Sequence, residues 1–349
     1  MQRIPELDAI RGLAAIGVVL FHAYPNTFYF GWSCVDLFFV LSGYLITSII
    51  LTDQKDPNFL STFYLRRIRR IWPVYYLTLI VVLILNRFSV SGYPTDGLWL
   101  HWIFLQNTTN YIGLLPLPFI YSFSPSWSVA IEEQFYVVWP LVVRTIGKSA
   151  VPIFSGLLFL SCFLGRCWLT ESTELLLTRG DGLSLGCMLA WLMQFNSDAR
   201  LSKIILASLI CAATLGCGYV LLYWIAFNGD PTPRWTQSCF TGFSLLFFSL
   251  IGFSVRHSGA WILMPLRNSV LKWFGTISYA LYLFHMPLFS YCPPIFDRIG
   301  MSSEILRATI TWVLVVGLPA LSWYAIERPI LSRHTALHKA VGRNKRTTA

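Results

Sequence analysis

GWSCVDLFFVLSGYLITSIILT, residues 31–52, contains a single charged side chain, Asp36. A helix of about 20 residues crosses a hydrocarbon core of roughly 30 Å at a rise of 1.5 Å per residue. A helix that is apolar on every side has no face suited to water. The stretch therefore predicts a transmembrane helix, and similar runs recur along the chain.

The composition of the whole chain also favours lipid as its solvent. Hydrophobic residues make up 55% of the 349 residues, charged residues make up 12%, and the mean hydropathy is +0.60. A soluble domain carries about twice that charged fraction, which it needs to cover its surface. We therefore predict an all-α, polytopic transmembrane helical bundle and exclude a soluble globular enzyme.

The apolar runs predict about ten spans. They lie near 8–27, 31–52, 71–88, 126–146, 150–166, 173–195, 203–227, 235–255, 270–292 and 306–326. The segment 97–120 is apolar but contains His101, Gln106 and two prolines, so we predict a re-entrant or interfacial segment there. Ten spans place both termini and most Lys and Arg residues in the cytoplasm, as the positive-inside rule requires, whereas an eleventh span would move the later basic clusters outside.

The chain is predicted to form one membrane domain, 1–330, followed by a basic cytoplasmic tail, 331–349, with affinity for anionic membrane lipid. Residues 1–27 are interpreted as a retained first span because charged residues interrupt the pattern of a cleavable signal peptide. Eight cysteines occur without a CxxC pair and mostly within apolar runs, so we predict neither a metal site nor disulfides. No nucleic-acid partner is expected.

Ionisable side chains inside a membrane are costly, which makes each of them a candidate site residue. Those within the predicted spans are Asp8, Arg11, His22, Asp36, Glu132, Glu133, Arg179, Asp181 and His285. Most of them fall about six residues from the outer end of a span. Helices that place polar groups at one depth can form one buried site, because each group needs a partner in a low dielectric.

The eleven residues from Arg11 to His22 correspond to ~1100° of helical rotation, only ~20° from a whole number of turns, and to ~16 Å of rise. Both residues therefore face one side of a helix. A carboxylate beside a histidine orients the ring and favours the imidazolium that forms when the histidine acts as a general base. Asp36, Glu132 or Glu133 could supply that carboxylate, and a packing role is the alternative for each.

For the residues near 180, the sequence predicts a structural role, consisting of an ion pair and a break in the helix. Arg179 and Asp181 are interpreted as an ion pair, and Gly180 and Gly182 predict a local break in the helix.

FYLRRIRRIWPVYY, residues 63–76, concentrates four arginines at the cytoplasmic side. Arg66 and Arg70 are four residues apart and share a helix face, with Arg67 beside them. Arginine binds phosphate through a bidentate fork, and Pro73 suits the first turn of a helix. The cluster predicts a polyphosphate site, with anchoring to lipid phosphate as the alternative.

Further motifs follow in order along the chain. PSWSVAIEEQFYVVWPL, residues 125–141, places Trp127 and Ser128 before the glutamate pair. RGDGLSLG, ISYALYLFHMPL and AIERP follow, and the second of these contains Tyr282 and His285. Together with the Arg11–His22 spacing, the Asp36 helix and the arginine cluster, these motifs resemble acyltransferase family 3, the membrane O-acyltransferases of bacterial surface polysaccharides.

The resemblance spans nearly the whole chain and implies an enzyme that transfers acyl groups other than aminoacyl groups. It implies a multi-pass protein of the bacterial inner (plasma) membrane that moves an acyl group, by default acetyl, from cytoplasmic acyl-CoA to a hydroxyl. The acceptor would be a glycan or lipid-linked saccharide outside. On this hypothesis Arg66, Arg67 and Arg70 bind the CoA phosphates, the pantetheine arm passes Arg11, and His22 deprotonates the acceptor for direct attack.

The resemblance also adds Trp127, Ser128 and Tyr282 to the residues expected to support this site, beside Asp8, Arg179, Asp181 and His285.

Three alternatives remain open at this point. A covalent acyl-enzyme would need a nucleophile such as Ser42, Ser128 or a cysteine, but the sequence pairs none of these with a clear base. A transporter or flippase of a lipid-linked glycan would use the buried charges as a substrate path, although no internal repeat is visible. An acyl relay would pass the group to a separate periplasmic partner.

Overall fold

The computed structural model describes residues 4–53, 55–88, 98–108, 121–168, 174–227 and 236–332, and no strand occurs among them. The predicted all-α class is thus confirmed. The helices are α1 Pro5–Ala23, α2 Cys34–Asp53, α3 Phe59–Phe88, α4 Trp99–Trp102, α5 Ser126–Ile146, α6 Ala150–Trp168, α7 Leu176–Arg179, α8 Asp181–Leu192, α9 Ala199–Phe227, α10 Thr236–Arg256, α11 Ser269–Arg298 and α12 Glu304–Ser322.

The chain divides into two compact units. The larger unit comprises Met1–Pro57, Asp96–Leu117 and Ser126–Gly275, and the smaller unit comprises Asn58–Thr95, Pro118–Pro125 and Thr276–Ala349. The predicted boundary between domain and tail at residue 330 lies beside residues 333–349, which are outside the described part of the chain.

Five helical segments in the described ranges are long and apolar enough to cross a membrane. They are Tyr29–Asp53, Phe59–Phe88, Ala199–Ile225, Cys239–Arg256 and Glu304–Ser332. The other predicted spans also coincide with helices, but α1, α5 and the broken pair α7–α8 contain the ionisable residues that mark the candidate site. These findings identify a membrane protein, and the count of ten spans stays a prediction.

The core of the larger unit is built by α1, α2, α8, α9 and α10. It contains the fully buried side chains of Val40, Leu41, Leu189, Leu209 and Ile251. Each comes from an apolar face that the sequence predicts as membrane-embedded. Because lipid is as apolar as these side chains, close packing rather than transfer from water must hold the helices together.

α2 and α8 are in backbone contact because glycines lie at their crossing. A Cβ atom on Gly43 would lie 2.1 Å from the Leu183 carbonyl oxygen, and one on Gly186 would lie 2.2 Å from the Val40 carbonyl oxygen. Gly182, one turn before Gly186, faces the Asp36 carbonyl in the same way, at 3.1 Å. Small residues at a four-residue spacing let membrane helices approach this closely.

α2 and α5 run in the same direction along each other. The ring of Phe39 lies 6.1 Å from that of Trp127, Ser42 contacts Glu132, and the Trp139 indole donates to Thr47 Oγ1 at 2.8 Å. Residue numbers rise together on both helices. The predicted topology requires this parallel arrangement, since both helices would run from outside to inside when 97–120 does not cross.

The described part of the predicted re-entrant segment, residues 98–108, forms two short helical turns, Trp99–Trp102 and Gln106–Thr108. The Gln106 amide donates to the Ser126 carbonyl at 2.9 Å, and the Gln134 amide of α5 donates to Asn107 Oδ1 at 2.7 Å. These bonds tie the turns to α5, and the re-entrant or interfacial placement of 97–120 stays a prediction. Residues 109–120 lie outside the described ranges.

The helix break predicted around Gly180 is confirmed, because α7 ends at Arg179 and α8 begins at Asp181. The placement of Pro73 in a first helical turn is wrong. α3 begins at Phe59, and Pro73 lies inside it. A proline inside a helix leaves the carbonyl four residues earlier, here that of Arg69, without its usual donor, which membrane helices tolerate.

We expect Gly43→Ala to destabilise the protein, since the new methyl group meets a backbone oxygen that cannot move alone. The expected loss is about 1–3 kcal/mol or more, as for other overpacked cores. Thermal unfolding in detergent measures it. Gly156→Ala and Gly218→Ala are matched controls on α6 and α9, where a Cβ meets nothing within 4 Å. Equal melting temperatures for Gly43→Ala and the controls would contradict the proposed contact.

Candidate functional site

Four buried charges form two ion pairs inside the larger unit. The Arg179 guanidinium donates to both carboxylate oxygens of Asp36, and Arg166 Nη2 donates to Asp181 Oδ2 at 3.0 Å. The exposed fraction of each of these residues is 6% or less. A charge removed from water is stable only when it is paired, so the four residues form one electrically neutral network.

α10 completes this network from its first turns. The Thr241 hydroxyl accepts from Arg166 Nη2 at 2.5 Å and donates to Asp181 Oδ2 at 3.0 Å. The Phe240 ring centroid lies 3.4 Å from the central guanidinium carbon of Arg179, which adds a desolvated cation–π contact. α2, α6, α8 and α10 are thereby joined at one level.

The predicted Arg179–Asp181 ion pair is wrong. The break at Gly180 separates the two residues onto different helices, so Arg179 bonds α2 and Asp181 bonds α6. Arg166, the last residue of the predicted span 150–166, was not among the predicted site residues, yet it is buried. The residues predicted inside spans include more carboxylates than arginines, and that excess is the sequence feature that calls for a further buried cation.

Asp36 was one of three predicted carboxylate partners of His22. Both of its oxygens receive hydrogen bonds from Arg179. This arrangement favours an anchoring role for Asp36 between α2 and α7. Its predicted part in catalysis is untested.

α1 positions Asp8, Arg11 and His22 on one unbroken helix, and all three are half-buried. His22 Nδ1 lies 2.9 Å from the Val18 carbonyl oxygen. A carbonyl can only accept, so in a neutral imidazole this contact favours the tautomer with the proton on Nδ1. α1 is held by glycine contacts at its start, where a Cβ on Gly275 would lie 1.9 Å from the Asp8 carbonyl oxygen.

The two adjacent glutamates of α5 have different surroundings. Glu132 is half-buried, and its Oε1 accepts a hydrogen bond of 2.5 Å from the Ser42 hydroxyl of α2. Glu133 is rotated by about 100° on the helix, and 8% of it is exposed. The structure therefore assigns Glu132, rather than its neighbour, to the face of α5 that meets α2.

Trp127 and Ser128 lie one turn before this glutamate pair. The Trp127 ring contacts Phe39, and its centroid is 5.9 Å from the Arg179 guanidinium carbon. Ser128 is buried. Trp127 thus forms one wall of the buried ion-pair network, a role that no motif alone could assign.

The remaining candidates lie in the smaller unit. Arg66 is exposed on α3, whereas Arg67 and Arg70 are half-buried. Tyr282 donates its hydroxyl to the Pro125 carbonyl at 2.9 Å. His285 is fully buried, and its Nδ1 lies 3.2 Å from the Leu281 carbonyl oxygen. Tyr282 and His285 thus have surroundings typical of packed residues, while the arginines are accessible. Within the described residues no three side chains form a metal-ligating cluster.

Removing one partner of the Asp36–Arg179 pair should destabilise the protein by about 3–5 kcal/mol, because the other charge stays buried. We expect this for Asp36→Leu and for Arg179→Met, and we expect the double variant to recover most of the loss. Denaturant unfolding in detergent measures all three. Arg307→Met is the control, because Arg307 forms a solvent-exposed pair with Asp297 and such pairs contribute little. A double variant no more stable than the singles would contradict this interpretation.

Comparison with known proteins shows which family this chain belongs to. The family model described as an acyltransferase domain matches residues 4–326. The chain is 30% identical to peptidoglycan O-acetyltransferase OatA of Listeria monocytogenes, covering 94% of this chain and 56% of that protein. It is 30% identical to YrhL of Bacillus subtilis, provisionally assigned as a peptidoglycan O-acetyltransferase, covering 96% of this chain and 57% of that protein.

A provisionally assigned O-acetyltransferase of Staphylococcus aureus is 29% identical, with 93% of this chain and 59% of that protein covered. The chain therefore spans just over half the length of these relatives. No solved structure gives a significant match. Because the family model covers the chain from the first turn of α1 to the end of α12, the protein belongs to acyltransferase family 3, as the motif order predicted.

Proposed function

We propose that the protein is a multi-pass O-acyltransferase of the bacterial inner membrane. It moves an acyl group, most simply acetyl, from cytoplasmic acyl-CoA to a hydroxyl of an extracytoplasmic glycan or lipid-linked saccharide. The observation that carries the proposal is the family match over residues 4–326, together with relatives named as peptidoglycan O-acetyltransferases. Their names make a cell-wall glycan the first acceptor to test.

His22 is the proposed general base. In the tautomer with the proton on Nδ1, which bonds the Val18 carbonyl, Nε2 is the ring nitrogen that takes the proton of an acceptor hydroxyl. Nε2 takes the proton as the hydroxyl oxygen attacks the acyl carbonyl. The imidazolium then returns that proton to the leaving group. Arg11 lies on the same face of α1 but ~16 Å away along its axis, so its proposed contact is the pantetheine arm of the donor.

Arg66 and Arg70 are the proposed binding site for the phosphates of the donor, with Arg67 beside them. Arg66 is exposed and Arg70 half-buried, so both can meet a soluble anion. Their four-residue spacing on α3 aims two guanidinium forks in one direction. Only the arginine guanidinium groups form this proposed phosphate site. The amino terminus of α3 lies at Phe59, too far from Arg66 and Arg70 to bind the same phosphates.

His22→Ala should lower acyl transfer by about 100- to 10,000-fold while leaving donor binding intact, as expected for loss of a general base. The assay uses purified protein in nanodiscs, labelled acetyl-CoA and a cell-wall glycan acceptor. His257→Ala is the matched control. His257 also places Nδ1 against the carbonyl four residues earlier, that of Phe253, but it follows α10 and lies outside the candidate site. Full transfer by folded His22→Ala would reject the assignment.

Arg66→Ala and Arg70→Ala should each weaken acetyl-CoA binding by about 10- to 100-fold, the value of one charged hydrogen bond. Binding is measured at two salt concentrations, because a phosphate contact weakens as salt rises. Arg200→Ala/Lys203→Ala is the control, since it removes two exposed charges from the start of α9. Equal losses in the control would identify nonspecific charge attraction instead of a site.

Two outcomes would favour other functions. If the wild type neither binds nor consumes acetyl-CoA but moves a lipid-linked glycan across the bilayer, the transporter hypothesis replaces this proposal. If it consumes acetyl-CoA only when a separate periplasmic protein is added, it is an acyl relay.

A further inference from the structure

The connection between α10 and α11 is a short 3₁₀ helix, Trp261–Arg267, whose outer side is apolar. The outer side has three largely exposed residues: Trp261 at 84%, Met264 at 71% and Ile262 at 66%. Because a 3₁₀ helix has three residues per turn, Leu263 and Leu266 lie together on another edge. Both are half-buried, and Leu266 packs against the core of the larger unit. The 3₁₀ helix therefore presents one apolar edge to the protein and a second apolar surface outward.

Glu6, in the first turn of α1, holds this 3₁₀ helix in place. Only 1% of Glu6 is exposed. Its carboxylate accepts hydrogen bonds from the Ser258 hydroxyl at 3.0 Å, the Gly259 amide at 3.1 Å and Arg267 Nε at 2.9 Å. Gly259 has a φ of 97°, in the left-handed region that favours glycine, so the chain turns sharply there. The three donors satisfy a carboxylate that would be costly to bury alone. The exposed apolar side chains thus belong to a connection that is fixed at both ends.

The 3₁₀ helix lies at the end of the membrane-spanning part of the larger unit. The candidate span Cys239–Arg256 ends five residues before Trp261. Glu6 lies two residues, or ~3 Å of helical rise, before the predicted span 8–27. Because Glu6 bonds both ends of the connection, the 3₁₀ helix lies level with the start of α1. Both distances place it at the boundary between hydrocarbon and headgroups.

The chemistry of the outer side fits a bilayer surface at this level. Tryptophan is enriched at membrane interfaces, because its ring is apolar and its N–H can bond to headgroups. Residues 256–272 contain three cations, Arg256, Arg267 and Lys272, and no carboxylate. Glu6 offsets one of these charges, and the remainder attracts lipid phosphate. A helix with an apolar side and cationic flanks lies in the plane of the membrane surface.

We propose that the outer side of this 3₁₀ helix is a membrane-surface anchor, which inserts Trp261, Ile262 and Met264 at the headgroup–acyl boundary of the leaflet where α1 begins. In the predicted topology this is the cytoplasmic leaflet. Because Glu6 joins the anchor to α1, the anchor sets the depth of the helix that carries His22. The anchor does not depend on which reaction the protein catalyses.

Photo-crosslinking to lipid tests the anchor. A benzophenone amino acid replaces Trp261 in purified protein held in nanodiscs of alkyne-tagged phospholipid, and the tag attached to the protein is measured after illumination. We expect a lipid adduct comparable to that of the same amino acid at Leu215, which is 59% exposed on the candidate span Ala199–Ile225. The adduct should be lost at Lys55, which is exposed in the polar loop between α2 and α3.

Hydrogen exchange tests the link between the anchor and α1. In Glu6→Gln the charged hydrogen bonds are weakened, so the amides of residues 258–267 should exchange about 10-fold faster. Glu304→Gln is the control, because Glu304 is exposed at the start of α12, and exchange in 258–267 should not change. Equal exchange in Glu6→Gln and the wild type would overturn the link.

Two further results would overturn the anchor itself. The first is lipid labelling at Leu215 without labelling at position 261, which would show that the outer side does not reach the bilayer. The second is a protein adduct at position 261 in whole cells with no lipid adduct, which would assign the outer side to a protein partner.

Discussion

The backbone contact between α2 and α8 is the constraint on which the rest of the larger unit depends. Gly43 on one helix and Gly182 and Gly186 on the other remove the side chains that would hold the helices apart. In lipid, helices gain nothing from hiding apolar side chains, so close van der Waals contact and interhelical hydrogen bonds must stabilise their association. Larger residues at these glycines would separate Asp36 from Arg179.

The buried charges follow from that contact. Asp36 lies on α2 next to the break at Gly180, where Arg179 turns towards it and Asp181 turns towards Arg166. An unpaired charge at this depth would cost several kcal/mol. The two pairs therefore make the relative positions of α2, α6, α8 and α10 strongly preferred. This rigid frame leaves the opposite side of α2 available for a less buried pair of groups, Ser42 and Glu132.

Polar residues in this protein thus serve two different purposes. Those with almost no exposure, such as Arg166 and Asp181, bond one another and hold helices together. Those that are half-buried, such as His22, Glu132 and Ser42, keep surface that a substrate can reach. Sequence motifs place both kinds in the same segments and do not separate them. Exposure and partner choice separate them, because only an accessible group can exchange protons with a substrate.

The amino-acid sequence by itself determined the all-α class, the membrane location, the family and the helix break at Gly180. Each of these depends on composition or on local spacing, which a linear pattern records directly. Only the tertiary structure decided that Arg179 pairs with Asp36, that Arg166 is buried, and that Glu132 rather than Glu133 meets Ser42. These choices depend on which helix faces lie against each other. That arrangement arises from glycine contacts between residues more than one hundred positions apart, a distance at which local periodicity carries no information.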